Sequence, residues 1–164
     1  MDVWKLTKEW LDTKNGLVHH QIKTFDDFIL RGIHRIIDNE NRISVKHEAY
    51  EYSIKFSNPY VGKPLVIESD RNLTPIFPVD CRLRDLTYHS PLFVDIKESR
   101  TCTSTQRTTV KQHRRIMIAH IPIMLGSAKC RLRGISARTK AKKGECRWDR
   151  GGYFIIKGKE RAIV

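Results

Sequence analysis

The chain has 164 residues, 40% hydrophobic and 30% charged, with a formal net charge of +13 at pH 7. That length suits one domain with a real core, and the composition excludes a disordered polyelectrolyte. No apolar run approaches the ~20 residues of a membrane-spanning helix, and Met1-Asp2-Val3-Trp4-Lys5 lacks the apolar stretch of a secretory leader, so an intracellular, soluble protein with no membrane partner is expected.

Val3, Trp4, Leu6, Trp10 and Leu11 recur at helical spacings, which predicts an amphipathic helix over residues 2–14 stopped by Asn15-Gly16. Thr24 with Asp27 three residues on predicts the N-terminus of a second helix. Phe25, Phe28, Ile29, Ile33, Ile36 and Ile37 form its apolar stripe, Asp38 to Asn41 end it, and Gly32 weakens it. Asp26 and Asp27 are explained by capping. From Ile43 the period becomes two. Tyr50, Tyr52, Ile54 and Phe56 alternate with Glu51, Ser53 and Lys55, the pattern of a half-buried strand, and Asn58-Pro59 predicts a turn.

Residues 63–67 predict a short strand and residues 68–72 a loop. Asp80 to Leu86 predicts a short helix capped by Asp80. Thr87 to Lys97 predicts a strand with Pro91 at an edge or bulge. Residues 98–110 predict an exposed loop or hairpin tip, and Arg115 to Leu125 another strand. Ser127 is expected to cap a short helix carrying Lys129, Arg131 and Arg133. Residues 134–150 predict a basic, flexible, glycine-flanked loop. Tyr153–Ile156 and Arg161–Val164 predict a β-hairpin around Lys157-Gly158, where a tight turn needs positive φ. Helices followed by strands give an α+β fold, with two N-terminal helices packed on a mixed, mainly antiparallel sheet. Ending on an apolar strand leaves an unpaired edge, and we expect a single partial domain over 1–164, the opening piece of something larger.

Charge is distributed unevenly. Residues 1–96 carry 13 Lys/Arg against 14 Asp/Glu, whereas residues 97–150 carry 15 against 3. A basic block joined to a neutral half predicts a polyanionic partner, above all nucleic acid. Arg100, Arg107, Lys111, Arg114 and Arg115 open the block; Lys129, Arg131 and Arg133 follow at i, i+2, i+4, and Arg138, Lys140, Lys142, Lys143, Arg147 and Arg150 lie on the loop. From these, Arg114, Arg115, Lys129, Arg131, Arg133, Arg138, Lys140, Lys142, Lys143 and Arg147 are the expected nucleic-acid contacts. Aromatics are sparse there, Trp148 and Tyr153 only, which favours contact with a duplex or hybrid backbone over stacking on single strands. Core or hairpin packing is the plainer role for those two rings.

Catalytic chemistry is not legible. The chain has no Asp-x-Asp-x-Asp metal loop and no phosphate-binding Gly-x-x-x-x-Gly-Lys motif. Cys81, Cys102, Cys130 and Cys146 form no C-x-x-C pair and are expected to be reduced, structural or incidental thiols. His19-His20 are adjacent on an expected linker, and His34, His47, His89, His113 and His120 are scattered, as solvent or packing histidines are. No catalytic residue, metal ligand or bound cofactor is expected.

Four blocks carry a resemblance. Glu145-Cys146-Arg147-Trp148-Asp149-Arg150, followed by Gly-Gly-Tyr-Phe-Ile-Ile-Lys-Gly-Lys-Glu, resembles a signature of the second-largest, beta-class subunit of multisubunit DNA-directed RNA polymerases of the eukaryotic, archaeal and large-DNA-virus type. Gly16 to Ile29, Arg82 to Tyr88 with Pro91 to Ile96, and Ile121 to Leu125 with Ser127 and Cys130 resemble other blocks of that subunit, in the same order. The resemblance implies the protrusion domain, interrupted in the family by an inserted lobe and completed further along, so this chain would be an incomplete protrusion.

The resemblance also implies a role in transcription as one wall of the nucleic-acid cleft. The expected partners are the largest subunit, the rest of the second-largest subunit, DNA and the RNA–DNA hybrid. Nucleotidyl transfer would belong to the assembly, with Mg2+ and Zn2+ held elsewhere in it, and the compartment would be the nucleus or, for a viral chain, a cytoplasmic factory or the virion. A stand-alone basic nucleic-acid-binding module, or an inactive relic of such a subunit, is the alternative. Two positions depart from the family pattern: Gly126 stands where Arg is usual, and Arg150 where Pro precedes Gly-Gly.

Overall fold

The computed structural model describes residues 3–12, 16–40 and 42–163. They fall into two compact units, the first built from Met1–Asp27, Lys63–Ser90 and His120–Val164, the second from Phe28–Gly62 and Pro91–Ala119. The fold is α+β, as expected from the order of patterns.

In the first unit, α1 (Val3–Asp12) follows the predicted span, although Val3, Trp4, Leu6 and Trp10 are exposed. Asn15 lies outside the described residues. The second helix begins earlier than Thr24 predicts. α2 runs over His19–Asp27 with Thr24 exposed inside it. The extra turn is held by apolar contact, since Val18, Ile22 and Phe25 pack with Met124, Phe154 and Ile156, and tertiary burial outweighs a weak cap signal. Phe25 meets Phe154 edge to face at 5.4 Å.

β3 (Leu65–Ile67) pairs antiparallel with β4 (Leu73–Pro75), a strand the sequence pattern did not announce. Asp70 closes the connecting turn by accepting the Asn72 backbone N–H at 3.0 Å. α4 spans Pro78–Leu83 and starts two residues before Asp80. Proline at the first helical position fixes the entering φ, and Asp80 acts from inside the first turn by accepting the Phe77 N–H at 3.1 Å.

The terminal hairpin forms as β7 (Phe154–Ile156) and β8 (Lys159–Arg161), with Phe154 opposite Arg161; the return strand starts at Lys159, two residues before the expected Arg161, because the two-residue turn leads straight into it. Lys157 and Gly158 both take positive φ, 49° and 72°, as a two-residue turn of the primed kind requires. The core of the unit includes Tyr88, Ile123, Leu125, Cys81 and Ile155, all at 0–1% exposure.

In the second unit, the turn Phe28–Gly32 is a π-helical segment leading into α3 (Ile33–Asn39). Gly32 sits where a Cβ would come within 3.0 Å of the Phe28 ring, so the residue that lowers helix propensity marks a wide turn and not an end. β1 (Arg42–His47), β2 (Tyr50–Val61), β5 (His89–Cys102) and β6 (Thr108–Pro122) form one sheet in the order β1-β2-β5-β6, with β1–β2 and β2–β5 antiparallel. α3 packs on β2. Residues 98–110 are mostly strand, and the hairpin tip is confined to residues 103–107.

Asn58-Pro59 makes a bulge within β2 where a turn is predicted: the register to β5 shifts between Ser57 and Tyr60. Asn58 takes φ 51° and donates to Asp95 Oδ2 at 2.9 Å, while Pro59, with no N–H, falls where the ladder is broken. The expected alternation holds only at the end of the predicted stretch, where Lys55 is exposed and Phe56 half-buried. Glu51 and Ser53 are half-buried, while Tyr50, Tyr52 and Ile54 are exposed beside their cross-strand partners His47, Val45 and Ile43. Arg100 lies 3.8 Å over the Tyr50 ring.

Candidate nucleic-acid interface

The four sequence blocks that carry the resemblance are structural before they are anything else. In the first unit, Arg82 of one block reaches three partners in the terminal block. Its Nη1 donates to Glu145 Oε2 at 3.1 Å, its Nη2 to the Tyr153 hydroxyl at 2.7 Å and its Nε to Glu160 Oε1 at 2.9 Å. Glu145 is buried and also accepts the Val79 N–H at 2.7 Å. The Tyr153 hydroxyl donates to Asp149 Oδ2 at 2.6 Å. Burial, with the Asp149 hydrogen bond, raises the pKa of that phenol, so it stays protonated as the donor. Burial opposes the charge on Arg82, and the hydrogen bonds to Glu160 and Glu145 outweigh it, so its basicity is raised.

Gly151-Gly152 joins the third block to the fourth. A Cβ on Gly151 would fall on the Leu125 carbonyl, and one on Gly152 would come within 2.7 Å of Val18 Cβ. The closeness permits a short ladder, with Gly152 N–H to Leu125 O and Leu125 N–H to Tyr153 O, both at 2.9 Å. Tyr88 extends it, donating its N–H to Ile155 O at 2.9 Å and accepting the Ile123 N–H. Its hydroxyl accepts the Arg131 N–H at 3.0 Å.

The basic residues are distributed around this frame. Lys129, Arg131 and Arg133 do not lie on a helix. Residues 126–134 form successive tight turns, with Ser127 N–H bonded to Met124 O, Cys130 N–H to Ser127 O and Arg133 N–H to Cys130 O. Glycine at 126 and 134, with φ 83° and 79°, and burial of Cys130 and Leu132 favour turns over a helix. Arg131 turns inward, its Nε donating to Pro64 O at 2.7 Å. Arg133 pairs with Asp26 at 2.6 Å. Asp26 also accepts the Ala128 N–H at 2.6 Å, so it ties α2 to the turns and does not cap a helix start.

Within 134–150, the stretch expected as loop, Ala137–Lys142 form α5, capped by Ser136, whose Oγ accepts the Thr139 N–H. Arg138 and Lys142 project from α5 into solvent, and Lys140 is half-buried. Lys143 lies 4.0 Å over the Phe77 ring and Arg147 is 5.4 Å from the Trp148 ring. Trp148 is 77% exposed and takes no part in the core, whereas Tyr153 is half-buried, with its hydroxyl bonded to Arg82 and Asp149.

Eight of the ten expected contacts therefore fall in one unit. Arg114 and Arg115 fall in the other, on β6, where Arg115 takes φ 53° and its N–H binds Asp95 Oδ1 at 2.9 Å. Hydrogen bonds from Asn58 and Arg115, with the two guanidinium charges, hold the Asp95 carboxyl below its ordinary range.

Sequence reading missed a cavity of about 580 Å3 in the first unit, lined by Lys23, Asp26, Arg133, Lys140, Asp149 and Arg150. His19, read as a linker residue, lies on its wall. His19, Ile22, Lys23 and Asp26 are spaced i, i+3, i+4, i+7, so one face of a helix was there to be read once α2 is extended to His19. Among the described residues, no group of three or more His, Cys, Asp or Glu could hold a metal ion, and no helix is long and apolar enough to cross a membrane.

The chain that carries this interlocked motif frame and cation-rich surface has recognisable relatives. A family model described as RNA polymerase beta subunit matches residues 16–164, and the chain belongs to that family. Over 98% of its length it is 38% identical to a protein of Invertebrate iridescent virus 3 named "Probable DNA-directed RNA polymerase II subunit RPB2 homolog", of which the match covers 14%. It is 33% identical to DNA-directed RNA polymerase II subunit 2 of Arabidopsis thaliana, over 99% of this chain and 15% of that one. It is 36% identical to that plant's DNA-directed RNA polymerase III subunit 2, over 99% and 14%. The chain thus spans about one seventh of the length of these relatives.

Proposed function

We propose that this chain is the N-terminal portion of a second-largest subunit and works in DNA-templated transcription as part of a DNA-directed RNA polymerase. Its own contribution is shape and positive charge on a wall of the nucleic-acid cleft. The observation that carries this reading is family membership over residues 16–164 together with the basic block on exposed turns and on α5. Flexible cations on short turns suit sugar–phosphate backbones, and nothing in their arrangement reads base edges. Its partners are then the largest subunit, the rest of the second-largest subunit, DNA and the RNA–DNA hybrid. It operates where that enzyme operates, in the nucleus or, for a viral chain, in a cytoplasmic factory or the virion. Nucleotidyl transfer, with the Mg2+ it needs, belongs to the assembled enzyme, and a structural Zn2+ to other parts of it.

Co-expression with a largest subunit and the remainder of a second-largest subunit tests the reading. We expect the chain to co-purify with them, and RNA synthesis to appear only in the assembly. A monodisperse chain that binds DNA yet joins neither partner would instead support a stand-alone binding module. RNA synthesis by the purified chain would overturn the reading.

A further inference from the structure

The cavity beside α2 is walled by cations from separate segments that converge on one space: Lys23 from α2, Lys140 from α5 and Arg150 from the segment before Gly151. Its two carboxylates are already engaged. Asp26 holds Arg133 and the Ala128 N–H, and Asp149 accepts the Gly151 N–H at 2.8 Å and the Tyr153 hydroxyl. Lys23 and Lys140 make no ion pair among the described residues. Ile22 and Leu132 contribute apolar wall, which strengthens charge attraction over its value in open water. Gly126 adds no side chain there, and even a Cβ would meet Ile22 Cδ1 at 3.2 Å and the Arg150 carbonyl at 3.4 Å.

We propose that this cavity binds a phosphoryl group. Lysine ammonium groups are point charges suited to a compact, multiply charged oxyanion, and the occupied carboxylates leave the excess positive charge to the ligand. The source is either a phosphate of a nucleic acid or free pyrophosphate, and the proposal rests on the nucleic-acid reading only for the first of these.

Calorimetric titration of the 164-residue chain with pyrophosphate at low salt tests the site. We expect saturable binding at one site. Lys23→Gln and Lys140→Gln should each weaken it at least about tenfold, while Lys63→Gln, an exposed lysine outside the cavity, changes it less than about twofold. Circular dichroism shows that each variant is folded. Competition with short oligonucleotides assigns the source. Displacement by a 5′-phosphorylated strand alone assigns a terminal phosphate, displacement by phosphorylated and unphosphorylated strands alike assigns the backbone, and displacement by neither assigns free pyrophosphate. Absence of saturable binding, or equal effects of all three lysine variants, overturns the proposal. Duplex binding measured alongside separates the two readings, because loss of the cavity site with duplex binding intact leaves the basic surface standing.

Discussion

Arg82 and Glu145 lie 63 residues apart and form a part-buried ion pair, with Nη1 3.1 Å from Oε2 and the glutamate side chain 2% exposed. The pair joins two of the sequence blocks by which the chain is assigned to its family. Those blocks are therefore mutually dependent, and the recognisable residues hold the frame that carries the basic surface.

Arg82→Met should cost about 3 kcal/mol in urea denaturation, because it leaves Glu145 a buried charge with one backbone donor and removes the Tyr153 and Glu160 bonds as well. Arg82→Lys should rescue little, since an ammonium cannot span three partners that a guanidinium fork reaches. A loss below about 0.5 kcal/mol for Arg82→Met would mean that the network is incidental.

Gly152→Ala should be as damaging or worse. The residue has φ 86° and its Cβ would overlap Val18. We expect a loss of about 3 kcal/mol or failure to fold, with the Leu125–Tyr153 ladder losing amide-exchange protection first. Unchanged protection would place the clash elsewhere.

The four thiols should differ sharply in reactivity. Hydrogen bonds from Ser104 and then Thr105 lower the Cys102 thiol to about 6, and it lies in the sheet beside the hairpin tip, with Sγ 3.2 Å from Ser104 Oγ. Burial pushes Cys81 up to about 12, and Cys130 is also buried. Disulfide-exchange labelling near neutral pH should modify Cys102 first and exposed Cys146 next, leaving Cys81 and Cys130 untouched until unfolding. Ser104→Ala should slow Cys102 several-fold, and an unchanged rate would contradict the assignment.

His89 gives the pH dependence. Burial, and then the neighbouring His120 ring at 4.4 Å, hold it below the ordinary imidazole value. The unfolded chain therefore binds a proton more readily than the folded one. The stability that neutral His89 contributes is present above the ordinary value of about 6.5 and is lost as pH falls from there through the folded value. Tm should drop as pH falls below about 6.5, and His89→Gln should flatten that drop. An identical slope in the variant would exonerate His89.

The sequence made some of this legible and hid the rest for physical reasons. Periodicity located α1, β2, β3 and the β7–β8 hairpin; at β7 local pattern and tertiary burial agree, whereas Val3, Trp4, Leu6 and Trp10 of α1 and the apolar residues of the first half of β2 are exposed. It placed α2 too late because Thr24 resembles a cap, while the contacts that extend the helix come from Met124 and Phe154, a hundred residues on. It assigned Asn58-Pro59 to a turn because the pair breaks a ladder, and a bulge breaks it as well. The basic block was plain from charge alone, but Arg131 bonds inward to Pro64 and Arg133 pairs with Asp26, and only the fold separates such cations from the exposed Arg138 and Lys142.

The salt dependence of duplex binding tests the central claim most directly. Binding of the 164-residue chain to a short DNA duplex should weaken linearly with the logarithm of salt concentration. In the Arg138→Ala, Lys142→Ala, Arg147→Ala triple variant, the slope should fall by about 0.9 for each phosphate no longer neutralised, up to about 2.7 in all. A triple variant with the slope of the parent chain would show that these exposed cations do not meet the nucleic-acid backbone.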